Sequence, residues 1–135
     1  DMVSVAGGKL TTYRTIARAV LHELGYRVPA TAVALPGAAD PAAVAAQLDL
    51  DPLLAFHLAR TYGALAHEVL SVSDDLRPLA PGAPEIAAQV VYAREREWAV
   101  DADDVLRRRT TLALRGLATP AVRSEVEALL HRAAV

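Results

Sequence analysis

Apolar positions near the start of the chain follow a helical period. Between residues 13 and 24 they recur at intervals of three and four, which places them on one stripe of a helix. The stripe consists of Tyr13, Ile16, Ala17, Val20, Leu21 and Leu24. Gly25 is a typical residue to end such a helix. Because the β-prone run Val3–Val5 and a glycine pair come first, the pattern predicts a strand, a turn and a helix.

Three later helices are predicted from their first residues. Asp40-Pro41, Asp51-Pro52 and Thr119-Pro120 each place a capping side chain before a proline. The side-chain oxygen can accept a hydrogen bond from a free amide of the first turn, and proline has no amide to leave unpaired at that position. We therefore expect helices to begin at residues 41, 52 and 120, the last running to Ala133.

Two more helices are predicted from apolar periodicity, over Glu85–Ala99 and from Ala102 to about Arg115. Asp101 and Asp104 resemble an acidic capping box for the second of these. The predicted fold class is mainly α. It is a small helical-bundle domain over residues 31–135, preceded by the strand, turn and helix of residues 1–30.

Composition narrows the possible functions. The chain has 135 residues with a formal net charge of −2, so charge gives no case for nucleic acid binding. There is no cysteine, which excludes disulfides and thiolate metal sites. Thirteen of the fourteen basic residues are arginine, and the single lysine is Lys9. A compact ammonium fits a tight pocket that a planar guanidinium does not fill, so Lys9 is a candidate for a specific task.

The glycine pair before Lys9 suggests a ligand-binding turn. Gly7 and Gly8 would let the backbone approach a ligand closely, and the amides of Lys9, Leu10 and Thr11 would lie unpaired at a helix start. Those amides and the helix dipole favour negative charge. A plain tight turn is the alternative interpretation. The spacing of a Walker phosphate-binding loop is absent.

The segment "REREWAVDADDVLRRR" is dense in charge, and most of it is interpreted as a solvated helix face. Arg109 shares the apolar side of its helix, so it needs a carboxylate partner, for which Glu95 and Glu97 are the candidates. Arg108 and Arg109 are interpreted as links between helices rather than as ligand-binding residues. No metal ligands and no catalytic side chain are assigned, because the four histidines fall on different predicted helices: His22, His57, His67 and His131.

Two motifs carry a family resemblance. "GGKLTTYR" (Gly7–Arg14) resembles a motif of FAD-dependent glycerol-3-phosphate dehydrogenases, and "EWAVDADDVLRRRT" (Glu97–Thr110) resembles the C-terminal pattern of the same enzymes. The chain departs from that pattern at Asp101, where the family usually has Thr, and at Ala102, where it usually has Leu. The first change preserves a helix cap, and the second removes apolar volume.

The resemblance implies that the chain is the C-terminal part of a longer flavoprotein, with residues 1–30 a remnant of its FAD-binding domain and the rest of that domain missing. The family oxidises sn-glycerol 3-phosphate to dihydroxyacetone phosphate and passes electrons through FAD to quinone. A related oxidase branch uses oxygen. The fragment alone is expected to be inactive and to bind no FAD.

The resemblance also implies site residues. Gly7 and Gly8 would allow the turn to approach the flavin, and the amides of Lys9, Leu10 and Thr11 would face its pyrimidine edge. Lys9 could instead reach the substrate phosphate. The implied location is cytoplasmic, with the inner face of the cell membrane as an option, and a homodimer is a further option. The alternative from another class is a stand-alone helical interaction or dimerisation module without catalysis.

Overall fold

In a computed structural model of the chain, the structure describes residues 2–29, 31 and 33–131. The chain divides into two compact units, Asp1–Ala34 and Leu35–Val135, where the sequence placed the boundary between residues 30 and 31. Helices dominate the described residues, and none of these residues belongs to a β-strand. The prediction of a mainly α fold is confirmed. No helix within the described ranges is long and apolar enough to cross a membrane.

The first unit contains a 3₁₀ turn, Leu10–Thr12, that leads directly into helix α1, Tyr13–Glu23. The predicted helix is therefore confirmed, and Gly25 follows it with a φ of +81°. The predicted strand at Val3–Val5 is wrong, since these residues form no regular structure. A strand needs a neighbouring strand to pair its backbone groups, and the described part of this unit offers none.

Over its described residues, 35–131, the second unit contains five α-helices and two other helical segments. A 3₁₀ turn, Gly63–Leu65, connects two of the helices, and a π-helix, Asp104–Arg109, precedes the last. The α-helices are α2 (Pro41–Ala45), α3 (Pro52–Tyr62), α4 (Ala66–Val72), α5 (Ala87–Arg96) and α6 (Pro120–His131).

The predicted caps are present at all three Pro-initiated helices. The Asp40 carboxylate accepts from the Ala42 amide at 3.1 Å, and the Asp51 carboxylate accepts from the amides of Leu53 and Leu54 at 3.0 and 3.3 Å. The Thr119 hydroxyl accepts a hydrogen bond from the amide of Val122 at 3.3 Å. These helices begin where the sequence placed them, because a cap depends only on residues adjacent in the chain.

Helix α5 lies at the centre of the core because both of its sides are buried. Ala87, Val90 and Ala93 pack in one cluster with α6, while Ala88 and Tyr92 pack in a second cluster with α3 and α4. The buried residues of α6 are the predicted stripe Val122, Val126, Leu129 and Leu130. The remaining member of that stripe, Ala133, lies outside the described residues.

Two predicted helices have different bounds in the structure. The helix predicted over Glu85–Ala99 is α5, which ends at Arg96 because Trp98 takes a left-handed φ of +57°. The helix predicted to reach Arg115 ends at Arg109 as a π-helix. Thr110 is extended there, and its hydroxyl donates to the carbonyl of Val105 at 2.8 Å. That hydrogen bond and the tertiary partners of the next residue stop the helix early.

Candidate functional site

The Gly-Gly-Lys turn is an exposed, sharply bent segment before α1. Gly7 and Gly8 have φ angles of +77° and +115°, which residues with a side chain rarely adopt. A Cβ on Gly8 would lie 2.5 Å from the Cδ1 atom of Ile16, whereas a Cβ on Gly7 would meet nothing within 4 Å. The glycine at position 8 therefore lets the turn fold closely onto α1.

Thr12 fastens the other end of the turn. Its amide and its hydroxyl both donate to the carbonyl oxygen of Lys9, each at 2.9 Å. Lys9 itself is extended, with a φ of −89° and a ψ of 147°, and no side chain caps the 3₁₀ turn. Within the described residues, the amides of Lys9, Leu10 and Thr11 donate no hydrogen bond. The turn thus presents these three unpaired donors, while the carbonyl of Lys9 is bonded to Thr12.

The five predicted cofactor-binding residues are consecutive in the sequence and form this single turn. All of them are exposed, and Leu10 is 88% exposed. Lys9 contributes the only ammonium side chain of the protein to the same segment. A backbone without side chains at two positions, three free amides and one cation can receive an electron-rich or anionic group. Whether FAD is that group stays a prediction.

A second polar cluster surrounds Glu85 in the other unit. Glu85 is 1% exposed, and its carboxylate accepts from the Thr111 hydroxyl at 2.6 Å, the Thr111 amide at 3.3 Å and Nη1 of Arg115 at 3.1 Å. Burial opposes ionisation of Glu85, but the Thr111 hydrogen bonds and the Arg115 guanidinium outweigh it and lower the pKa of the carboxyl. This cluster is a satisfied buried charge, which indicates a structural role.

Gln89 organises a neighbouring network. Its Oε1 accepts from the Ile86 amide at 2.9 Å and its Nε2 donates to the Tyr62 hydroxyl at 3.1 Å. Because Oε1 is an acceptor, His57 Nε2, 3.3 Å away, must donate to it. Burial lowers the pKa of His57, and burial raises the pKa of Tyr62 to about 12. The histidine is therefore neutral at pH 7, and its hydrogen bond to Gln89 links α3 to α5.

Arg109 finds one of its two predicted partners. Its Nε lies 3.9 Å from Oε2 of Glu97, and its Nη2 donates to the Glu97 carbonyl at 2.5 Å. Glu95 pairs instead with Arg94 at 2.7 Å. The link predicted for Arg108 is wrong, since it pairs with Asp104 one turn earlier in its own helix at 2.8 Å. An exposed guanidinium reaches a neighbour four residues away more easily than another helix.

The predicted acidic capping box is present in a shifted form. The amide of Asp104 donates to the Asp101 carboxylate at 2.8 Å, and the Asp104 carboxylate accepts from the amide of Val100 at 2.9 Å. Asp101 therefore performs the capping role expected of it. Across the residues that the structure describes, no three histidine or acidic side chains converge as a metal-binding set.

Sequence reasoning did not predict two contacts that shape the candidate turn, those of Thr12 with Lys9 and of Gly8 with Ile16. The signal for Thr12 was its place three residues after Lys9, where a hydroxyl can bond back to the backbone. The signal for Ile16 was its place on the first turn of α1, facing back toward the glycines. Sequence reasoning also missed the Glu85 cluster, whose members lie 26 and 30 residues apart in the chain and leave no local signal.

Comparison with known proteins agrees with the expected relationship. Residues 28–133 match the family described as the C-terminal domain of alpha-glycerophosphate oxidase. A glycerol-3-phosphate dehydrogenase of Synechocystis is 32% identical over 84% of this chain and 24% of its own length. A glycerol-3-phosphate dehydrogenase of Pseudomonas aeruginosa is 38% identical over 84% of this chain and 25% of its own length.

A third relative carries a different name. The D-erythritol 1-phosphate dehydrogenase of Brucella abortus is 34% identical over 81% of this chain and 25% of its own length. The chain thus spans about a quarter of the length of the curated relatives it matches. The resemblance to glycerol-3-phosphate dehydrogenases is confirmed, and the chain belongs to the family of the C-terminal domain of alpha-glycerophosphate oxidase.

Proposed function

We propose that the chain is the C-terminal part of an FAD-dependent dehydrogenase that oxidises sn-glycerol 3-phosphate to dihydroxyacetone phosphate and passes the electrons to quinone. Family membership and the names of two relatives support the reaction class. The observation that carries the proposal is the exposed Gly-Gly-Lys turn, in which the amides of Leu10 and Thr11 are unpaired.

The turn fits the electron-rich edge of a flavin. The absence of a Cβ at Gly7 and Gly8 leaves room for a planar ring against the backbone. The amides of Leu10 and Thr11 would donate to its oxygen and nitrogen acceptors, and a positive side chain beside them would favour the reduced, negatively charged form. When bound, FAD supplies the electron acceptor that no side chain of this protein can provide.

Lys9 has two candidate roles that one experiment separates. In the complete protein, Lys9→Ala removes the ammonium, and Lys9→Arg keeps the charge but changes its shape. If Lys9 holds the substrate phosphate, KM for glycerol 3-phosphate rises while flavin content and spectrum stay unchanged. If it faces the flavin, kcat falls and the flavin spectrum changes. Unchanged kinetics and spectra in both variants would remove the proposed electrostatic role.

Substrate and acceptor are tested on the same protein. Because one relative is named for D-erythritol 1-phosphate, both polyol phosphates should be compared by kcat/KM. We expect glycerol 3-phosphate to be preferred. We also expect reduction of a soluble quinone analogue to exceed hydrogen peroxide formation, and the opposite ratio would indicate the oxidase branch. The 135-residue chain alone should bind no FAD stoichiometrically, and tight binding would contradict the proposal that this turn is half of a site.

The proposed quinone acceptor also sets the proposed location. A quinone-linked enzyme acting on a phosphorylated metabolite would work in the cytoplasm, at the inner face of the cell membrane. Cell fractionation followed by a salt wash tests this: the complete protein should sediment with membranes and be released by salt. Recovery only in the soluble fraction would contradict membrane attachment.

A further inference from the structure

A groove runs along α3 in the second unit. It contains two cavities of about 290 and 460 Å³ that share Leu53 and Pro84 in their walls. A third cavity of about 220 Å³ shares His57, Thr61 and Thr111 with the larger of the two. We call the first two cavities together the α3 groove. No part of it belongs to the Gly-Gly-Lys turn.

One end of the α3 groove is apolar. Its walls include Leu53, Leu54, Leu76, Pro78, Ala83 and Ile86. Leu53 is 81% exposed, so this apolar surface is uncovered. The carboxylate at this end, that of Asp51, is held by the first amides of α3. An uncovered apolar hollow of this size favours binding of an aliphatic or aromatic group.

The other end of the α3 groove carries a cation that has no acidic partner among the described residues. Arg60 is exposed, and its guanidinium carbon lies 6.0 Å from the centre of the Phe56 ring, at a distance that allows a cation–π contact. None of the described carboxylates lies within 4 Å of Arg60, whereas Arg108 and Arg109 at the adjoining cavity each have acidic partners. The groove therefore combines an apolar end with one free guanidinium.

We propose that the α3 groove binds a single-chain amphiphile with an anionic head. The hydrocarbon chain would lie in the apolar cavity, and the phosphate or carboxylate head would contact Arg60. A planar guanidinium suits such a head because it can donate two parallel hydrogen bonds. An exposed ion pair by itself contributes little, so burial of the chain must supply most of the affinity.

Three probes test the head and the chain separately. The 135-residue protein is titrated calorimetrically with dodecyl phosphate below its critical micelle concentration, with dodecyltrimethylammonium, and with inorganic phosphate. We expect saturable binding of one dodecyl phosphate, with a Kd at least about tenfold lower than for either comparison. Absent binding, equal binding of the cationic amphiphile, or equal binding of inorganic phosphate would overturn the proposal.

Two matched pairs of variants locate the site. Leu53→Glu places a carboxylate in the groove, and Leu114→Glu makes the same change at a leucine that is 90% exposed elsewhere. Arg60→Gln removes the head contact, and Arg96→Gln removes an exposed arginine on α5, outside the groove. Leu53→Glu should raise the Kd about tenfold or more, and Arg60→Gln, which removes only an exposed ion pair, should raise it about threefold, with the paired controls unchanged.

Circular dichroism of each variant verifies that the helices are intact. If a variant and its control lose affinity for dodecyl phosphate equally, the proposed location of the site is wrong. Sedimentation without amphiphile tests another occupant, a second copy of the chain. A dimer that Leu53→Glu dissociates would show that the groove is a self-interface, and would also overturn the proposal.

Discussion

The buried carboxylate of Glu85 accepts a hydrogen bond from the hydroxyl of Thr111 at 2.6 Å, across 26 residues of chain. This contact joins the start of α5 to the segment that follows the π-helix. Arg115 adds an ion pair to the other carboxylate oxygen at 3.1 Å. A charge that is fully shielded from water depends on each of these partners, so their removal should be measurable in stability.

Thr111→Val should lower the free energy of unfolding by about 2 kcal/mol, because it leaves a buried carboxylate short of one donor. Thr111→Ser, which keeps the hydroxyl, should recover most of that loss. The matched control is Thr61→Val, whose hydroxyl bonds only within its own helix, at the carbonyl of His57. Urea denaturation measures all three, and equal effects of the two valine variants would contradict the special role of Thr111.

His57 should make the stability depend on pH. Burial lowers the pKa of His57 below its ordinary value of 6.5, so the folded protein takes up this proton less readily than the unfolded chain. The free energy of unfolding should therefore fall as the pH drops below 6.5 toward the folded pKa. His57→Gln should flatten this slope between about pH 7 and 5.5, whereas His67→Gln, at an exposed position of α4, should preserve it. If the free energy of unfolding of His57→Gln depends on pH as in the original protein, other groups cause this dependence.

Trp98→Gly should stabilise the protein. Trp98 has a left-handed φ of +57°, and its side chain is 88% exposed, so little burial is lost with it. The free energy gained by relieving the backbone strain exceeds the entropic cost of glycine, which is more flexible in the unfolded chain. The free energy of unfolding should therefore rise by about 0.5–1 kcal/mol. Trp98→Ala keeps the strained conformation and should show no gain. Chemical denaturation compares the stability of the two variants. A glycine variant that is less stable than the original protein would show that contacts of the Trp98 indole stabilise the fold.

Gly8→Ala should impair the complete protein more than Gly7→Ala. The added methyl group at position 8 would lie 2.5 Å from Ile16 Cδ1, and the one at position 7 would meet no atom within 4 Å. Because alanine rarely adopts the φ of +115° at position 8, the turn should shift and the proposed activity with glycerol 3-phosphate should fall about tenfold or more. Ile16→Val removes the colliding atom, so the double variant Gly8→Ala/Ile16→Val should recover part of the activity. If the double variant recovers no activity, backbone strain alone accounts for the loss.

Much of the fold was predictable because it depends on neighbours in sequence. The Asp-Pro and Thr-Pro pairs place the starts of α2, α3 and α6 through bonds that span two or three residues. The apolar stripe of α1 needs only the helical period. The glycine pair and the "TT" after Lys9 likewise specify the bend of the candidate turn before any tertiary contact is considered.

Tertiary structure decided what depends on partners far along the chain. The helix after Asp101 ends at Arg109 in the π conformation because Thr111 is held by Glu85, a contact that periodicity does not report. Val3–Val5 forms no strand because strand pairing needs a second segment. The folded backbone likewise decides which carboxylate Arg109 contacts, and that Arg60 contacts none of the described carboxylates. Local hydrogen bonds are determined by residues adjacent in the sequence, whereas burial and charge pairing exist only after the helices have packed.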